Sequence, residues 1–128
     1  MTMTWRKSPE TLVARFAEAL PDDARVERRK MFGYPCAFVA GNMFTGLHQE
    51  SLIVRLSERD RATFLALEGA HIFEPMAGRT MREYAVVPDA LLADQAALRG
   101  WLTRSLEYAS TLPAKEKKAP KATGRGKR

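Results

Sequence analysis

Between Cys36 and Leu56 two short links, Gly41-Asn42 and Gln49-Glu50, cut an otherwise apolar stretch into three runs of five or six residues. That is the length of a strand and too short for a stable helix. A Gly-Asn pair accepts the backbone of a two-residue hairpin turn, so the links predict an antiparallel meander. They also predict the register. Side chains alternate across a strand, and two turns of known position assign every residue to a face. One face then carries Cys36, Phe38, Ala40, Met43, Thr45, Leu47, Leu52, Val54 and Leu56 and is the expected core. The other carries Ala37, Val39, Phe44, Gly46, His48, Ile53 and Arg55. Val39, Phe44 and Ile53 make this second face apolar enough in places to invite cover by another element or by a second subunit, and a homodimer is one expectation.

The flanking segments supply the helices. Ser8-Pro9-Glu10 opens one: Ser8 can cap, Pro9 loses nothing at the first helical position, and Glu10 suits the positive end of the dipole. Leu12, Val13, Phe16 and Leu20 form its apolar stripe, and Pro21-Asp22-Asp23 ends it. Val26 to Met31 predicts a strand whose Arg28-Arg29-Lys30 cluster suits a sheet edge, and Phe32-Gly33-Tyr34-Pro35 breaks it. Ser57 and Asp60 have capping-box spacing and start a second helix that Gly69 ends. Residues 70–80 read as a loop, Met81 to Val87 as a strand closed by Pro88, and Asp94 as the cap of a last helix with the stripe Leu98, Trp101, Leu102, Ser105 and Ala109. The expected fold class is α+β: a two-layer sandwich in which an antiparallel meander sheet carries helices on one face.

The net charge of +6 suggests nucleic acid until it is divided along the chain. Residues 113–128 hold seven cations (Lys115, Lys117, Lys118, Lys121, Arg125, Lys127 and Arg128) against Glu116 alone. The other 112 residues hold fourteen Lys and Arg against fourteen Asp and Glu and are neutral overall. The last sixteen residues lack aromatic and branched apolar side chains. They are expected to form a disordered basic tail behind a folded domain of residues 1–112. Such a tail attracts DNA or RNA through counterion release without choosing among sequences, and it lacks the aromatics that stack on bases. The competing reading is a solubilising terminus. No run reaches the apolar length of a membrane span, Met1 to Lys7 lacks a signal peptide's apolar core, and Cys36 is the sole cysteine. A cytoplasmic location is the expectation.

Enzyme constellations are thin. The predicted register puts Cys36 and His48 on opposite faces, which argues against a Cys/His dyad. One cysteine and two scattered histidines do not make a zinc site, and eight dispersed glycines do not make a phosphate cradle. The expectation is no catalytic residue, no metal and no cofactor. Two segments stand out as binding surfaces instead. One is Lys30-Met31-Phe32-Gly33-Tyr34. The other runs from His71 to Tyr84 and offers Glu74, Arg79, Arg82 and Tyr84 beside Phe73 and Met76. If those four polar residues served a small ligand or a reaction, they would converge in one pocket.

The runs Arg29-Lys30-Met31-Phe32-Gly33-Tyr34, Phe38-Val39-Ala40-Gly41-Asn42-Met43-Phe44, Phe73-Glu74-Pro75-Met76, Met81-Arg82-Glu83-Tyr84 and Val87-Pro88 resemble the N-terminal domain of the TfoX/Sxy family, in a stand-alone form. The resemblance spans roughly residues 10–110, essentially the whole expected folded part. It implies a two-layer α/β domain loosely like the secretion chaperones, and a regulatory role exercised through a protein partner. Full-length members activate competence genes together with a cyclic-AMP-responsive transcription factor and carry a second, helical domain. Here only the basic tail follows Leu112. The family offers no catalytic residues to carry over.

Overall fold

The computed structural model describes residues 7–76 and 78–115. Six antiparallel strands form one open sheet: β1 (Glu27–Met31), β2 (Tyr34–Val39), β3 (Asn42–His48), β4 (Ser51–Arg55), β5 (His71–Met76) and β6 (Arg79–Val86), in the spatial order β1-β2-β3-β4-β6-β5. The first four strands are a meander. The chain then leaves through α2 (Glu58–Leu65), and the β5–β6 hairpin returns with β6 against β4. Helices α1 (Glu10–Ala19) and α4 (Gln95–Ser110) pack on one face, with the single turn α3 (Asp89–Leu92) leading into α4. The α+β, helix-backed sheet is the one expected.

The caps of α2 and α4 are as the sequence predicts. Ser57 Oγ accepts from the Asp60 amide at 3.2 Å, and the Asp94 carboxylate accepts from the Ala97 amide at 3.1 Å. The cap of α1 is not: Pro9 holds that position, while the buried Ser8 hydroxyl donates to the Gln49 carbonyl at 2.6 Å and ties the helix entry to the β3–β4 turn. The core joins Leu12 and Phe16 of α1 and Leu98, Leu102 and Leu106 of α4 to Ala37, Val39, Phe44, Leu47, Leu52 and Val54 of the sheet.

That set corrects the expected faces of β2. The hairpin turn is Ala40-Gly41, with φ of +50° and +83°, so Val39 pairs with Asn42 and every β2 side chain is inverted relative to a Gly41-Asn42 turn. A register shift follows at once. Phe38 pairs with Met43 but Ala37 pairs with Thr45, which leaves Phe44 unpaired and turned, like Thr45, into the buried layer. Beyond it the expected faces hold, with Leu47, Leu52 and Val54 inside. Val39 and Phe44 therefore belong to the core. Of the three residues on which a second-face dimer rested, Ile53 alone faces that side.

Most of the segment expected as a loop at 70–80 is strand: β5 takes up His71–Met76, and β6 begins at Arg79. Pro75 and two register shifts hide the alternation that marks a strand. Proline is tolerated because β5 is an edge strand, where one side of the backbone has no ladder partner. Strand β1 lies at the opposite edge, as its cations suggested.

Candidate binding surface

The face of the sheet away from the helices is hollowed. Its floor comes from Cys36, Gly46, His48 and Ile53, and the hollow holds about 260 Å³. Gly46 opposes Cys36 in the ladder, and a Cβ at Gly46 would stand 3.0 Å from the Cys36 Cβ, so glycine keeps the floor open. One wall is Met31, Phe32 and Tyr34 from the β1–β2 turn. The other is Phe73, Pro75 and Met81 from the β5–β6 hairpin, with Met43 between them. The sheet must curl around this face for segments from its two ends to line one hollow. Ring contacts span it: Tyr34 lies 5.6 Å from His48, and His48 lies 5.2 Å edge-on to Phe73.

The walls follow from local geometry. Phe32 and Gly33 form the turn with φ of +55° and +85°, a mirror-image hairpin turn that matches strand twist. A left-handed backbone is unfavourable for phenylalanine, and here it projects the ring outward, 84% exposed. On the other wall Glu74 Oε2 accepts from the Gly78 amide at 2.8 Å and closes the hairpin. Beside the hollow the Tyr84 hydroxyl donates to the Met43 carbonyl at 2.9 Å, crossing over β4. Burial pushes the Tyr84 phenol up. The Arg55 guanidinium stacks over that ring and donates to Glu83 at 2.7 Å.

The residues singled out from sequence thus divide. Met31, Phe32 and Tyr34 line the hollow, Gly33 shapes the turn, and Lys30 stands exposed on edge strand β1. Glu74, Arg79, Arg82 and Tyr84 are not drawn into one pocket: Glu74 serves its own hairpin turn, Tyr84 reaches Met43, and Arg79 and Arg82 are exposed. Sequence reasoning did not find Met43, Gly46 and His48 as a shared floor and wall, because their meeting depends on the shifted turn. Three methionines at 31, 43 and 81 were the available signal.

Cys36 and His48, expected on opposite faces, lie on the same floor. The thiol donates to the Arg29 carbonyl at 3.4 Å, and burial pushes its pKa up. An activated nucleophile needs the opposite shift. Among the described residues no group of three or more His, Cys, Asp or Glu is placed to hold a metal ion, and no helix is long and apolar enough to cross a membrane. At the start of the expected tail the chain stays on the body: Asn42 Nδ2 donates to the Pro113 carbonyl at 3.1 Å, and the Lys115 amide donates to the Ala40 carbonyl at 2.8 Å. Lys117, Lys118, Lys121, Arg125, Lys127 and Arg128 lie outside the described residues.

Fold and surface together define a two-layer α+β domain with one face covered by helices and the other bare and hollowed. The chain belongs to the TfoX N-terminal domain family, whose model matches residues 18–109. No curated protein and no solved structure matches it.

Proposed function

We infer that the chain is a regulatory binding module that acts by docking a protein partner of the transcription machinery on the bare face of its sheet. One observation carries this reading. The two segments that the sequence marked as binding surfaces, 30–34 and 71–84, lie some forty residues apart in the chain and supply opposite walls of the same apolar hollow. Exposed apolar side chains at such a mouth are the usual mark of a protein-binding site. Family membership supports the regulatory part of the reading.

The test is co-purification from cells of the tagged wild type and of a Phe32→Ser/Met81→Ser variant, both changes being at exposed positions. The reading predicts a polypeptide recovered in fixed ratio with the wild type and reduced at least about tenfold with the variant, as expected when interface anchors are truncated. Equal recovery with both proteins contradicts it.

A further inference from the structure

The surroundings of the hollow carry charge in a pattern that narrows what docks there. Four large hydrophobic side chains stand exposed among the described residues: Phe32 (84%), Met76 (57%), Met81 (37%) and Leu67 (37%). Phe32 and Met81 line the hollow, and Met76 pairs with Arg79 at the tip of the same β5–β6 hairpin. Cations accompany them. Arg79 and Arg82 flank Met81 along β6, whereas Lys30 pairs with Pro35 and lies on the other face of the sheet from Met31 and Tyr34. Both arginines are exposed and form no ion pair among the described residues. Of the acids on the same strands, Glu27 holds Arg29 and Glu83 holds Arg55, while Glu74 accepts from the Gly78 amide and keeps its charge, one against the two arginines. The hollow itself is lined by no Asp, Glu, Lys or Arg. An uncharged apolar centre is thus bordered by a net positive charge among the described residues.

Resting on the reading of this face as a partner dock, we propose that the hollow takes an acidic peptide segment of the partner. One bulky apolar side chain enters between Phe32 and Met81, and carboxylates flanking it meet Arg79 and Arg82. A centre that excludes water and a complementary charged rim is the usual division of labour at an interface: the anchor sets the dissociation rate and the rim sets encounter and register. The unbranched thioethers of Met31, Met43 and Met81 repack around anchors of differing shape. A second copy of this chain is a poorer occupant. A two-fold contact on this face brings Arg79 and Arg82 of each copy toward one another.

Fluorescence anisotropy tests the proposal with three labelled peptides: one Phe flanked on both sides by Asp and Glu, the same peptide with Phe→Ser, and the same peptide with its acids replaced by Lys. The proposal predicts that only the first binds the full chain, that added salt weakens it, and that Arg79→Glu/Arg82→Glu and Phe32→Ser each weaken it at least about tenfold. Circular dichroism melts confirm that both variants remain folded. Binding that ignores the peptide's acids, survives the charge reversal, or is absent for all three peptides overturns the proposal. Those outcomes leave the docking reading standing if the Phe32→Ser/Met81→Ser variant still loses its cellular partner. Equal partner recovery with that variant removes the docking reading itself. Self-association of the full chain through this face, seen by sedimentation and lost in Phe32→Ser, replaces the acidic segment with a second copy.

Discussion

At Gly41 and Gly78 the backbone takes nearly the same left-handed conformation, with φ of +83° and +81°, in very different surroundings. A Cβ at Gly41 would overlap the Lys115 carbonyl oxygen, whereas one at Gly78 meets nothing within 4 Å among the described residues. Gly78→Ala should therefore cost only the left-handed penalty, about 1–2 kcal/mol. Gly41→Ala should cost more than that in denaturant titration and release the chain around Pro113–Lys115. Equal costs would mean that residues 113–115 do not rest on the turn. Asp23 offers a titration at the same scale. The Arg25 guanidinium, donating to it and also to Glu107, holds its carboxyl at about 2 instead of 3.8. A depressed carboxylate pKa stabilises the fold above the ordinary value and loses that contribution as pH falls through the lowered one. Stability should fall between pH 4 and pH 2, with a smaller fall in Asp23→Asn. The group is exposed, so salt should shrink the difference. A pH profile that Asp23→Asn leaves unchanged would remove the pair from the account.

Among the elements, the β2–β3 hairpin shows how far the sequence could be read. Apolar runs, caps and prolines placed most strands and helices, because each is a local signal. The choice between Gly41-Asn42 and Ala40-Gly41 as the turn is not local. Glycine accepts the left-handed backbone in either, and burial of Val39 and Phe44 under α1 and α4 decides between them. A slip of one residue inverted β2 and so hid the hollow, whose floor needs Cys36 and His48 on the same side. The β5 strand was missed for a different reason: Pro75 and its register shifts erase the period of two. What remained legible were the two walls, since Phe32-Gly33 and Phe73 to Met81 stand out by composition. The skipped residue Phe44 has a structural answer in α4. The buried Ser105 hydroxyl lies 2.8 Å from the Phe44 carbonyl and 2.5 Å from the Arg55 carbonyl, so its one proton is shared between two backbone acceptors that link α4 to β3 and β4. Ser105→Ala should cost about 1–3 kcal/mol, the range for a buried polar group left unsatisfied. A loss well under 1 kcal/mol in chemical denaturation would show that water satisfies those carbonyls instead.

For the whole molecule the separation of charge from fold matters most. Six of the cations, Lys117 to Arg128, follow the described residues, and without them the chain is close to neutral. Counterion release sets the slope of log affinity against log salt at about −0.9 per phosphate neutralised, so duplex-DNA binding by the full chain should show a slope no steeper than about −5. A protein ending at Lys115 should not bind, by anisotropy across a salt series. Equal binding by both would give the domain a nucleic-acid surface of its own. The central claim concerns the other end of the molecule, where two distant segments make one docking face. Photo-crosslinking tests it most directly, with a photoreactive phenylalanine analogue placed singly at position 32, at position 81, and at exposed position 14 on α1 as control. The account predicts that positions 32 and 81 label the same polypeptide and position 14 does not. Different polypeptides from 32 and 81, or equal labelling from 14, would contradict it.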